Sequence, residues 1–119
     1  MKKLLVVDDD PRNIYALSAV LRSRSFEVSS CSSAGEALEL LRGTLVFDAV
    51  LMDMMMPEMD GYEAIPLINK IPHRHLPIIA VTAQAMKGDR ERCLDAGADG
   101  YISKPIDIDK LVSLLTELT

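Results

Sequence analysis

Cysteine is scarce in this chain: only Cys31 and Cys93 occur, far apart and without metal-ligand spacing. A disulfide framework or a thiolate metal site has no support, and two reduced thiols of a cytosolic protein are the expectation. Basic residues are also in deficit. Thirteen Lys and Arg stand against 18 Asp and Glu, a formal net charge of -5, which leaves no broad basic face for phosphate backbones and argues against nucleic acid as a direct partner. Long apolar runs are missing too. Met1-Lys2-Lys3 leads into Leu4-Leu5-Val6-Val7 and then into acids, a run too short for a signal peptide or a membrane helix, so no membrane association is expected. Internal repeats, low-complexity tracts and linkers are lacking as well, and 119 residues suit one domain over residues 1–119 that buries a core without staples.

What is present is a globular balance, 49% hydrophobic and 26% charged, in which short apolar runs alternate with longer amphipathic ones. Residues 3–7, 26–30, 48–52, 77–81 and 99–102 read as strands, each followed by a helical stretch. Several of these runs are almost wholly apolar, as strands covered on both faces are, so the pattern predicts an α/β fold with a parallel sheet between helices and right-handed crossovers. The helices show 3.6-residue periodicity at Ile14, Leu17 and Leu21, at Ala34, Ala37, Leu38 and Leu41, and at Leu111, Leu114, Leu115 and Leu118. Asp10 with Pro11 fits a helix start, Ser33 with Glu36 a capping box, and Gly97 the end of the fourth helix. Pro66 falls inside the third helix expected over residues 62–71, which predicts a late start or a kink there.

In an open parallel sheet, chemistry gathers beyond the carboxyl ends of the strands. Asp8, Asp9 and Asp10 follow the first strand, Asp53 the third, Thr82 the fourth, and Ser103 and Lys104 the fifth. Taken singly, each has an ordinary explanation: an aspartate as a helix cap, a threonine bonded to its own backbone, a lysine in solvent. Together, Asp8, Asp9 and Asp53 would crowd carboxylates whose repulsion a cation must offset. A hard divalent ion with oxygen ligands meets that need, and Mg²⁺ suits a site that keeps waters and shares its coordination with a phosphate. Lys104 is then placed as a phosphate clamp, Thr82 as a donor to a phosphoryl oxygen, and Asp53 as a carboxylate nucleophile.

These residues fall in five ordered motifs: Leu5-Val6-Val7-Asp8-Asp9-Asp10-Pro11 with Asn13; Met52-Asp53-Met54-Met55-Met56-Pro57 with Met59-Asp60-Gly61; Val81-Thr82-Ala83; Gly97-Ala98-Asp99-Gly100-Tyr101; and Ser103-Lys104-Pro105. With them the chain resembles, over essentially its whole length, the receiver domain of two-component response regulators. The resemblance implies a flavodoxin-like fold of five parallel strands in the order 2-1-3-4-5 with five helices on both faces. It implies Asp53 as phosphoacceptor, Mg²⁺ held by Asp8, Asp9, Asp53 and the backbone carbonyl of Met55, Thr82 and Lys104 on the phosphoryl group, and a cis Lys104–Pro105 bond. A histidine kinase or His-phosphotransfer protein is the implied donor, and self-phosphorylation and autodephosphorylation are implied chemistry. Thr82 and Tyr101 would be the switch pair, opening the face of the fourth helix, fifth strand and fifth helix to a downstream protein. The side chains of Met55 and Gln84 would flank the path of the hydrolytic water.

Two other readings compete. Asp8-x-Asp10 after a strand also fits a haloacid-dehalogenase-like phosphatase with Asp8 as nucleophile, but such enzymes need a further acidic motif where this chain has Thr82-Ala83-Gln84. A flavodoxin-type electron carrier would share the fold, but it needs a Ser/Thr/Gly-rich phosphate loop where this chain has three acids.

Overall fold

The computed structural model describes residues 1–72, 76–83 and 88–119. Strands and helices alternate along them: β1 (Lys3–Val7), α1 (Pro11–Ser23), β2 (Glu27–Cys31), α2 (Ala34–Arg42), β3 (Ala49–Asp53), α3 (Gly61–Asn69), β4 (Ile78–Thr82), α4 (Asp89–Asp95), β5 (Gly100–Ser103) and α5 (Ile108–Leu118). The strands pair in parallel in the order β2-β1-β3-β4-β5, as expected.

The reason lies in the strand residues. Every residue of β3 and β4 is buried, which only a sheet covered on both faces allows. Alternate side chains go to opposite layers. Leu4, Val6, Leu51, Ile79 and Val81 pack against Leu21 of α1 and Leu111 and Leu115 of α5. Leu5, Val7, Val50, Met52 and Ile78 pack against α2 and α3, with Cys93 of α4 in the same layer. Each fully enclosed leucine or isoleucine contributes about 1.5–3 kcal/mol through lost apolar exposure.

Strands β2 to β5 each begin one residue later than the apolar runs suggest. Asp48 and Asp99 explain two of these shifts, because their side chains serve as turn acceptors. Asp48 Oδ2 takes the Lys3 amide at 2.7 Å and Asp99 Oδ2 the Ile78 amide at 2.9 Å. At the other end the shift makes Asp53 and Thr82 the last residues of their strands, not loop residues, which fixes their backbones in the ladder.

Helix starts follow the sequence with two corrections. Asp10 caps α1, accepting the Arg12 amide at 2.9 Å with Pro11 in the first turn. Ser33 accepts the Glu36 amide at 3.2 Å. The return bond is replaced, because the Glu36 carboxylate takes the Ser32 and Ser33 hydroxyls at 2.9 and 3.4 Å. The complete capping box lies at Asp60 and Glu63. It starts α3 at Gly61, earlier than expected, so the helix runs through Pro66 instead of beginning after it. Gly97, with φ +112°, ends α4 in the left-handed conformation that glycine adopts without cost.

Both cysteines are buried and unpaired, and burial pushes the Cys31 thiol up to about 11. Lys2 Nζ donates to the Thr119 carbonyl at 3.1 Å, at the end of the sheet opposite the acidic strand ends. Among the described residues no helix is long and apolar enough to cross a membrane.

Candidate functional site

The strand ends bring the expected residues together. Asp8 follows β1, Asp53 ends β3, and one carboxylate oxygen from each of Asp8, Asp9 and Asp53 lies within 4.8 Å of the others. Asp8 and Asp53 are buried and Asp9 is exposed. Backbone amides hold the two buried acids: the Asp10 amide donates to Asp8 Oδ1 at 2.9 Å, and the Met55 amide to Asp53 Oδ1 at 3.1 Å. The second bond sets the Met55 peptide beside the cluster.

Lys104 enters from the far side of β4. Its amide donates to the Thr82 carbonyl at 2.7 Å, extending the β4–β5 ladder one residue beyond the Thr82–Ser103 pair. Its Nζ lies 3.6 Å from Asp8 Oδ2 and 3.8 Å from Asp53 Oδ2. The Lys104–Pro105 bond is cis. Thr82 is buried, and Tyr101, half-buried on β5, stands opposite Ala80 of β4.

The electrostatics follow from the crowding. Burial pushes the Asp53 carboxyl up to about 6, against the Met55 amide that favours the charged form. Asp8 and Asp9 raise it further and Lys104 lowers it. Oxygen donors this close, with too little positive charge among them, suit a hard divalent cation.

Asp10, by contrast, turns away. It caps α1 and pairs with Arg12 at 3.3 Å, a bond that holds its carboxyl below the usual range. It is not placed as a general acid beside Asp8, so the phosphatase reading loses its second residue. Gln84 lies outside the described residues.

One feature of the site escaped the sequence reading. A cavity of about 340 Å³ opens beside Asp8, Asp53 and Lys104, walled by Ala16, Leu17 and Val20 of α1 and by Pro105 and Ile106. Tyr15 and Val20 on α1, and Met55, are exposed. The signal was available, since Tyr15, Ala16 and Val20 lie off the Ile14–Leu17–Leu21 stripe that faces the core.

A doubly wound parallel sheet with an acidic, lysine-flanked pocket at its carboxyl edge defines the flavodoxin-like class of phosphoryl-binding domains. Comparison with known proteins narrows this class. The chain belongs to the response regulator receiver domain family, whose model matches residues 4–116. It is 42% identical over 113 residues to the signal transduction histidine-protein kinase BarA of Shigella flexneri, a match covering 94% of this chain and 12% of that protein. The chain therefore spans about an eighth of the length of that relative.

Among solved structures, the receiver domain of the sensor histidine kinase PA1611 from Pseudomonas aeruginosa PAO1 superposes with a TM-score of 0.89 at 36% identity. That match covers 98% of this chain and 96% of the other, and the structure has a magnesium ion coordinated in its active-site cleft. The receiver domain of the Francisella response regulator 1452 gives a TM-score of 0.90 at 27% identity, covering 99% and 96%. This chain is thus a two-component receiver domain, and the phosphatase alternative finds no support.

Proposed function

We propose that residues 1–119 act as one cytoplasmic receiver unit in which Asp53 accepts a phosphoryl group from a phosphohistidine of a histidine kinase or His-phosphotransfer protein. The observation that carries this reading is the cluster itself: three carboxylates within 4.8 Å of one another and one ammonium within 4 Å of two of them. Asp8, Asp9, Asp53 and the Met55 carbonyl would hold Mg²⁺, as the oxygen donor set fits. When bound, the ion neutralises the acids and the oxyanions of the incoming group.

The chain's own residues do the rest. Asp53 Oδ1 is held by the Met55 amide, and Oδ2, which faces Lys104, attacks phosphorus; the P–O bond forms as the P–N bond breaks, and the donor imidazole leaves with the electron pair. Lys104, which balances Asp8 and Asp53 in the resting site, then pairs with a phosphoryl oxygen, and the Thr82 hydroxyl donates to another. Acetyl phosphate reacts at phosphorus likewise, its own P–O bond breaking and acetate leaving, and water reverses the modification by attacking phosphorus and releasing inorganic phosphate. Because Asp53 is buried, the donor must cover the rim, and the exposed apolar residues of α1 supply a surface for it.

Displacement of Thr82 toward the phosphoryl group would draw Tyr101 inward and remodel the α4–β5–α5 face for a downstream protein. In support, only Asp89 and Cys93 of the seven α4 residues are buried, so α4 is held by little.

Acetyl phosphate with Mg²⁺ provides the test. The parent should acquire an acid-labile, hydroxylamine-sensitive label and Asp53→Asn none. A label retained in that variant at the parent's level would refute the assignment, and a label moved to Asp8 would restore the phosphatase reading.

A further inference from the structure

Away from the acidic rim, the seam between α3 and α4 holds a second cluster of reactive side chains that the phosphoryl chemistry does not use. Tyr62, in the first turn of α3, donates its phenol to Asp89 Oδ1 at 2.9 Å. The Tyr62 phenol oxygen also lies 3.8 Å from Cys93 Sγ. Asp89 opens α4 and is 4% exposed, while Cys93, one turn on, is fully enclosed. The Arg92 guanidinium lies over the Tyr62 ring at 4.3 Å from its centroid and covers the seam from outside, as a cation on an aromatic face does.

A buried carboxylate is costly unless its oxygens are satisfied. Asp89 Oδ2 has no hydrogen-bond partner among the described residues, so the carboxylate depends on what reaches Oδ1, the Tyr62 phenol at 2.9 Å among them. The rest of α4 has few tethers. It begins at Gly88 with φ +90° and no side-chain cap, and only Asp89 and Cys93 are buried along it. A phenylalanine would fill the space of the Tyr62 ring, so the substitution removes the hydroxyl's bond to Asp89 and its weaker contact with Cys93 while keeping the packing.

Tyr101 packs against the same core layer as Tyr62 and Cys93. Burial, and after it the charge of Asp89, raises the Tyr101 phenol above its ordinary value. Two tyrosines from different elements, one on α3 and one on β5, thus share the acid that begins α4. Whatever moves Tyr101 changes the surroundings of Asp89, and whatever frees Asp89 changes what holds Tyr101.

We propose that the Tyr62–Asp89 hydrogen bond is a latch that holds α4 against α3 and Tyr101 in its resting place, so that its strength sets how readily the domain switches. The coupling to Tyr101 rests on the receiver function proposed above; the hold on α4 does not.

The experiment uses the whole chain and Tyr62→Phe. In the absence of phosphodonor, amides of residues 92–96 should exchange with solvent about tenfold faster in the variant, the scale of a lost hydrogen bond to a charged group, while β1 and β3 keep the parent's rates. In an Asp89→Asn background the same substitution should add little, because the shared bond is already weakened. With Mg²⁺ present, Tyr62→Phe should also bind beryllofluoride, a phosphoryl mimic, about fivefold more tightly, since binding no longer works against the latch.

Unchanged α4 exchange in Tyr62→Phe would overturn the proposal, as would acceleration spread equally over β1 and β3. Faster α4 exchange with unaltered beryllofluoride affinity would reduce the bond to a structural one and overturn the link to Tyr101. Failure of the parent to bind beryllofluoride would instead strike the receiver chemistry assigned to the rim, with the exchange measurement still deciding whether α4 is latched.

Discussion

Lys104 Nζ stands 3.8 Å from Asp53 Oδ2, on a residue whose backbone is tied to the rim by its amide's hydrogen bond to the Thr82 carbonyl at 2.7 Å. The ammonium pairs with Asp8 and Asp53, and the metal expected among the same carboxylates must compete with it. Lys104→Ala should raise Mg²⁺ affinity by about three- to tenfold, the scale of a unit charge removed at this distance from a partly solvated site. It should also slow labelling by acetyl phosphate. A Mg²⁺ titration followed by tyrosine fluorescence reads the first effect, and weaker binding in the variant would show that Lys104 does not oppose the ion.

Stability without metal should depend on pH through Asp53. Burial raises its carboxyl to about 6 in the folded state, against about 3.9 in an unfolded chain. Between those values the folded protein keeps a proton that the unfolded chain has released. Stability therefore falls as pH rises through this window and levels off above it, by on the order of 2 to 3 kcal/mol. Asp53→Asn removes the effect, so in EDTA its stability advantage over the parent should grow from pH 4 to pH 7. Urea midpoints across that range measure it, and a constant difference would mean that Asp53 titrates normally.

Met55 is half-exposed and its amide is bonded to Asp53, which places the residue beside the proposed phosphoacceptor. A thioether is a poor partner for water. Met55→Asn supplies an amide at the same place and should speed loss of the phosphoryl group several-fold, since positioning the attacking water lowers the barrier. The decay of labelled protein after removal of the donor, with Mg²⁺ present, gives the rate. Equal or slower decay in the variant would place control of the lifetime elsewhere.

Gly61 has no room for a side chain. A Cβ there would lie 2.9 Å from the Met54 backbone Cα and would overlap Met54 Sδ, while the Gly61 amide donates to the Met54 carbonyl at 3.2 Å. This contact folds the segment after Asp53 back onto the end of β3. Gly61→Ala should cost about 2 kcal/mol, lower the urea midpoint with an unchanged m-value, and weaken Mg²⁺ binding through the displaced Met55 peptide. An unchanged midpoint would show that the segment yields without penalty.

Much of this molecule was legible because its strands are plain. Val50, Leu51 and Met52 are apolar in succession, and only a sheet covered on both faces buries such a run, so the parallel arrangement and the rim where Asp8, Asp53, Thr82 and Lys104 meet could be read in advance. Strand limits were less clear, because Asp48 and Asp99 look like strand residues until their side chains are seen bonding across to neighbouring strands. Pro66 misled through a local rule: proline disfavours a helix interior, but the Asp60–Glu63 capping box fixed the start of α3 upstream of it. Tyr62 and Asp89 are 27 residues apart, and no periodicity connects them. Their bond exists only because α3 and α4 lie side by side.

The meeting of Lys2 with Thr119 has an architectural consequence. Lys2 and Thr119 meet on one side of the sheet, while Asp53 ends β3 at the other, a strand's length away, about 17 Å for five residues. A polypeptide with this layout can be spliced into a host's surface loop as a cassette, since entry and exit points coincide. Tension or crowding at such a splice would be separated from Asp53 by the full height of the parallel sheet.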